Sequence, residues 1–265
     1  MVQPFAEIID SAFMGMDESG ELIEPGGKVR LFVDAALAAG AHTAPNTQQA
    51  HYLLHVMRAK AGEKVSLFNG RDGEWLAVLA DVTKRSCVLV CEKQTAPQTQ
   101  TPDVWLVFAP VKKTPAHYVV QKATELGVRA LVPVLTRRTI VRRVNPDRMH
   151  ANAVEAAEQS GRVTVPDVRE PVSLEKLLGD WPRDRRIVFC DEAGAPPIAD
   201  VLSKEGEGPW AILTGPEGGF DADERTLIRS QSFVVPVFLG ARILRADTAA
   251  LAALSVWQAL RGDWR

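Results

Sequence analysis

The chain has 265 residues, 46% of them hydrophobic, enough apolar material for two modest cores and too much for a disordered chain. Its 31 basic and 33 acidic residues give a formal net charge of −2, so bulk charge by itself points to no polyanionic partner. Three cysteines cannot pair completely, no eighteen uncharged apolar residues stand together, and no basic residue precedes Lys28; the sequence reads as a reduced, cytoplasmic protein without signal or membrane span.

Residues 1–27 hold six acids (Glu7, Asp10, Asp17, Glu18, Glu21 and Glu24), no Lys or Arg, and the glycines of a flexible extension. Without them the chain carries 31 basic against 27 acidic residues, a net of +4. From 28 to 93 the pattern is mainly β: an alternating Val29 to Val33, then a helix bearing Ala50, Leu53, Leu54 and Met57. Strands follow at Lys64 to Phe68, Glu74 to Asp81 and Arg85 to Glu92, the first two joined by the turn Asn69-Gly-Arg-Asp-Gly73. Short strands with Gly-rich turns imply a small barrel or curled sheet. Cys87 and Cys91 fall on one strand face as small hydrophobes, and His51 with His55 lacks the third ligand of a zinc site, so no metal is expected.

Residues 94–103, with Pro97 and Pro102 among Gln and Thr, read as a linker to a second domain over 104–265. There, strands at Val104 to Ala109, Arg129 to Thr136, Arg186 to Cys190, Trp210 to Thr214 and Val234 to Leu239 alternate with helices beginning near Thr114, Pro146, Ser173, Asp221 and Ala246. Such alternation implies a parallel sheet covered on both faces, and pattern alone gives it no knot. Gly161 suits the C-terminus of the second helix. Arg137, Arg138, Arg142, Arg143 and Arg148 lie within twelve residues, opposed only by Asp147, a density that can neutralise several phosphates.

The most informative segments are Thr214-Gly215-Pro216-Glu217-Gly218-Gly219-Phe220 and Leu239-Gly240-Ala241-Arg242-Ile243-Leu244-Arg245-Ala246-Asp247-Thr248. Each follows an apolar β-branched run and precedes a helix, so both read as loops at the C-terminal edge of the sheet, where ligands bind in open α/β folds. Neither Gly-x-Gly-x-x-Gly after a strand nor Gly-Lys-Ser/Thr occurs, which disfavours a dinucleotide or triphosphate ligand. Arg242, Arg245 and Asp247 beside a glycine-lined pocket suit a reaction that develops charge.

Thr214-Gly-Pro-Glu-Gly-Gly219 with Ala222-Asp-Glu224, and Leu239 to Arg245, resemble the ribosomal RNA small subunit methyltransferase E family. The likeness extends to Glu158-Gln-Ser-Gly-Arg162, Gln121 to Gly127, Arg30 to Val33, and His51 with Val56-Met57-Arg58, covering roughly residue 28 to the end. The resemblance implies a C-terminal SPOUT-type trefoil-knotted parallel sheet, its segment 210–262 tucked through an earlier loop, behind an N-terminal PUA-like RNA-binding β-barrel. It implies S-adenosylmethionine as cofactor, N3 of a uridine in 16S rRNA of the small ribosomal subunit as target, and a homodimer. Carried onto this chain, the cofactor falls to Leu213, Thr214, Gly215, Pro216, Gly218, Gly219, Leu239, Gly240, Ile243 and Leu244. Arg245 would stabilise the uracil anion, with Asp247 or Glu217 accepting the proton; Arg30, Arg58, Arg137, Arg138, Arg142, Arg143 and Arg162 would hold RNA, and Glu158 to Arg162 would contribute near the active site. Two departures are visible: Ala246-Asp247 stands where the family usually has Thr-Glu, and Ser160 where Cys is common. A SPOUT enzyme acting on another RNA and a non-catalytic ribosome-assembly factor are the alternatives.

Overall fold

The computed structural model describes residues 29–111, 116–141, 143–191 and 194–265, so the acidic extension, the helix start expected at Thr114 and Arg142 lie outside the described residues. Internal contacts divide the chain into two units after Gln100.

In the first unit, β1 (Arg30–Phe32), β2 (His42–Thr43), β3 (Lys64–Phe68), β4 (Glu74–Ala80) and β5 (Val88–Ala96) form one sheet in the order β1-β3-β4-β5-β2. β1 runs parallel to β3 and the other pairs are antiparallel. Among the described residues the hydrogen-bonded path begins at β1 and ends at β2. One face buries Leu31, Val65, Leu67, Ala77, Leu79, Cys87, Leu89 and Cys91 against Leu53 of the helical segment. That segment starts as α1 (Thr47–His51), closed at its N-terminus by the reciprocal side-chain bonds of Asn46 and Gln49, and widens to a π-helical turn over Tyr52–Val56. β5 is longer than the apolar pattern suggests: polar Gln94 and Ala96 still pair with Trp75 and Glu74.

The second unit is built on an all-parallel sheet of β6 (Val104–Phe108), β7 (Ala130–Leu135), β8 (Asp167–Val168), β9 (Val172–Ser173), β10 (Arg186–Cys190), β11 (Trp210–Thr214) and β12 (Val234–Val237). Its order is β12-β10-β11-β6-β7-β8, with β9 also on β7. Strand alternation supplies two cores. Val104, Leu106, Leu131, Val188, Trp210 and Ile212 meet α2 (Ala116–Glu125), α3 (Pro146–Ser160), α5 (Ile198–Lys204) and α7 (Ala246–Arg261). On the other face Trp105, Val107, Val132, Ile187, Phe189 and Leu213 meet α4 (Leu174–Gly179) and α6 (Ala222–Arg229). Burial on both faces explains why these strands read as continuous apolar runs.

Local chemistry sets the helix boundaries. Asn145, Ser173 and Asp221 each accept a backbone N–H from the first turn they cap, and Gly161 ends α3 in the left-handed region at φ 78°. At the end of α2, Gly127 takes φ +77°, and a Cβ there would stand 2.7 Å from Nε2 of buried Gln258, which donates to the Leu126 carbonyl at 2.6 Å. Gly127→Ala therefore adds about 1–2 kcal/mol of left-handed backbone strain and displaces the amide that ties α7 to α2. A lowered urea midpoint of unfolding is the expected outcome, and an unchanged midpoint would show that this contact contributes nothing.

Candidate active site

Because β12, β10 and β11 are neighbours in that order, the three loops leaving their C-terminal ends meet at one edge. They border an open cavity of about 540 Å³ lined by Cys190 and Asp191 at the end of β10, Thr214 to Phe220 at the end of β11, Phe238 to Ala246 after β12, and by Arg225 and Ala249 from α6 and α7. That size lies within the usual range for cofactor pockets, about 300–1,000 Å³.

Thr214, Gly215, Pro216, Gly218, Gly219, Leu239, Gly240, Ile243 and Leu244 all line the cavity, as do Glu217 and Arg245. Two assigned residues do not. Leu213 is fully buried and points into the core beneath α4 and α6, because the residue before the loop still obeys strand alternation. Asp247 lies in the first turn of α7, where its carboxylate accepts from the Thr248 amide at 2.7 Å. Arg245 occupies the N-cap position of α7, is exposed, and forms no ion pair among the described residues.

The glycines divide by role. At Gly240 (φ +108°) a Cβ would meet nothing within 4 Å, so the backbone borders open space. At Gly215 a Cβ would stand 2.7 Å from the Phe220 ring, itself buried edge-on against Phe189. Gly215 is thus required first by packing, and a bulky side chain there would disturb the loop before it reached a ligand.

Helix α6 holds the first loop from both sides. Glu224 is buried; one carboxylate oxygen accepts from the Arg137 amide at 2.8 Å and the other from the Asp221 amide at 3.2 Å, while Asp221 caps the Glu224 amide. Toward its C-terminus, Arg225 and Arg229, one turn apart, meet the carboxylate of Asp191 at 3.4 and 2.7 Å, and that side chain is 0% exposed. With the carboxylate withdrawn from water, loss of both arginines would strand a buried charge. Cys190 beside it is a neutral wall, its thiol pushed up to about 12 by burial.

The arginines assigned to RNA separate likewise. Arg137 bridges Asp221 and Asp223, both at 2.9 Å, and Arg138 donates to the Gly218 carbonyl at 2.7 Å. Arg143, Arg148 and Arg58 are exposed. Arg30 pairs with Glu74 at 2.6 Å over the Phe68 ring. Arg162 donates to the carbonyls of Thr124 and Val128, and burial draws its pKa down to about 10 against the pull of Asp263. It is a brace between α2 and α3, and none of Glu158 to Arg162 lines the cavity. Asp191 and Arg225 escaped the sequence reading. Asp191 follows the last residue of a predicted strand at the ligand edge, a position that could have flagged it, whereas Arg225 looks like any polar residue on a helix.

Residues 98–258 match the family described as RNA methyltransferase domain, and residues 45–91 that described as RNA methyltransferase PUA domain. The chain is 33% identical to Ribosomal RNA small subunit methyltransferase E of Synechocystis, the match covering 81% of this chain and 72% of that protein. To the enzyme of the same name from Rickettsia conorii it is 29% identical, covering 85% and 93%. The crystal structure of such an enzyme from Neisseria gonorrhoeae, bound to S-adenosyl methionine, superimposes with a TM-score of 0.82 at 28% identity, covering 89% of this chain and 99% of that one.

The anchoring of α6 has a pH signature. The Asp221 carboxyl is held below the usual carboxylate range chiefly by the Glu224 amide and then by Arg137. With the folded-state value below the unfolded one, its ionised form stabilises the fold above the ordinary range, and that contribution disappears as pH falls through the lowered value. Asp221→Asn keeps a capping oxygen but does not titrate. Melting temperatures between about pH 2 and 6 should therefore fall less steeply on the acid side for the variant than for the parent; parallel curves would contradict this.

Proposed function

Since the chain belongs to the ribosomal RNA small subunit methyltransferase E family, we propose that it methylates N3 of a uridine in 16S rRNA with S-adenosylmethionine as donor. The observation that carries the reading is the cavity itself: nine of the ten residues assigned to the cofactor from sequence line it, together with Glu217 and Arg245. Loop backbone at 214–219 and 239–244 would hold the cofactor, with open space at Gly240 and the apolar side chains of Leu239 and Leu244 offering a mixed polar and apolar wall. When bound, the cofactor supplies a methyl group already activated on a cationic sulfur.

Uracil N3 carries a proton and its lone pair is delocalised into the flanking carbonyls, so the protein must stabilise the base as that proton leaves. Arg245 suits this task, because its guanidinium is always charged and forms no ion pair with the described residues. Glu217 is the better placed of the two acids considered for the proton: it lines the cavity, is exposed, and makes no loop-bracing hydrogen bond among the described residues. Arg138, Arg143, Arg148 and Arg58 are the exposed cations proposed to meet RNA phosphates. The same reading includes the trefoil threading of 210–262 and a homodimer paired through α7.

Mass mapping of 16S rRNA from a deletion strain, before and after adding the protein back, tests the reaction; restoration of no methyl group at a uridine N3 would overturn it. Ala249→Phe, which places a ring in the cavity from a half-buried helix position, should weaken calorimetric S-adenosylmethionine binding at least about tenfold with the melting temperature little changed. Arg245→Lys keeps the charge and loses the planar fork. Single-turnover methylation of small subunits should slow by about a hundredfold or more while cofactor affinity stays within a few-fold, and a fully active variant would remove Arg245 from the mechanism.

A further inference from the structure

The basic segment and the loop after β11, whose Arg138 and Gly218 stand 80 residues apart in the chain, are one mechanical assembly. Thr136 and Thr139 are both buried; the Thr139 hydroxyl accepts the Thr136 amide at 2.9 Å, and the two hydroxyls meet at 2.9 Å. The turn they close leaves its two central residues, Arg137 and Arg138, exposed. The Arg137 amide binds Glu224 and its guanidinium binds Asp221 and Asp223, so this arginine is neutralised and fixes the turn to α6. Arg138 differs. Its Nη1 donates to the Gly218 carbonyl at 2.7 Å, its Cβ and Cδ lie 3.5 Å from where a Gly218 Cβ would be, and no carboxylate pairs with it among the described residues. Gly218 lines the cavity beside Glu217 and Gly219.

We propose that Arg138 is a positioning residue with two partners at once, the Gly218 carbonyl of the cofactor loop and a phosphate of the bound RNA, and that it thereby couples RNA binding to cofactor binding. A guanidinium carries five N–H donors in a rigid fork, and among the described residues one of them is engaged, so a phosphate can be accepted on the remaining donors without breaking the bond to Gly218. A phosphate so held restricts the guanidinium, and through it the Gly218 carbonyl of the loop. The RNA-bound enzyme then loses less freedom on taking up cofactor, and linkage requires that cofactor tighten RNA by the same factor. Arg143 and Arg148, exposed beyond the turn, add phosphate affinity without touching the loop.

This inference rests on the methyltransferase reading above, and its test separates the two. S-Adenosylhomocysteine, which cannot transfer a methyl group, is titrated by equilibrium dialysis against the full chain with and without saturating small ribosomal subunits. The parent protein should bind it roughly fivefold or more tightly on the subunit. Arg138→Lys preserves the charge, and with it the salt dependence of subunit binding, but has no fork to span both partners; its coupling factor should fall close to one. Arg143→Ala should weaken subunit binding and, at saturation, keep the parental factor. A parental factor of one, or a Lys variant that retains the full factor, overturns the inference while leaving the methyltransferase reading in place. Failure of the parent to bind S-adenosylhomocysteine or the subunits at all overturns both.

Discussion

The site depends on how α6 is pinned. A short helix bearing only Ile228 and Glu224 as buried residues has little apolar area to hold it, and here two carboxylates do that work from opposite ends. Glu224 reaches inward to the Arg137 amide and its own N-cap; Asp191 reaches from the end of β10 to Arg225 and Arg229. The loop 214–220 is strung between β11 and this helix, so its conformation is fixed at both ends before any ligand arrives. Preorganisation at the two ends lowers the cost of ordering the loop around a ligand and leaves its middle, at Gly218, as the part still to be held.

The all-parallel sheet makes the pinning possible. Buried on both faces, it places three strand ends side by side and gives each loop a rigid start. The chain then uses the second face for α6 and the first for α7, so the cavity is closed by helices from both layers, with Arg225 from one and Ala249 from the other.

Much of this was legible in the sequence because the determinants are local. Glycines, caps and β-branched runs announce loops, helix starts and strands within a few residues, and Asn145, Ser173 and Asp221 stand at the helix starts that reading expected. What escaped it depends on elements too short to show a period and on partners that only the fold brings together. Helix α5 has only seven residues and three buried apolar side chains, Ile198, Val201 and Leu202, too few to register as a period. Gly215 reads as room for a ligand until the ring of Phe220 folds back over it. Arg162 reads as a cation beside a motif, yet two carbonyls, of Thr124 and Val128, claim its guanidinium from 38 and 34 residues away.

Charge shows the same division between composition and placement. A net of −2 conceals a segregation in which the first turn of α6 carries Asp223 and Glu224 behind the cap Asp221, favourable to the helix dipole in their own right. These acids also pair with Arg137, the first cation of the basic segment, and make its guanidinium a structural tie. Arg138, one residue on, meets a carbonyl instead of a carboxylate and so keeps its full charge. Two adjacent arginines that composition cannot tell apart are thus set apart by what faces them: one holds the helix, and the other leaves a charged edge where the loop 214–220 meets solvent.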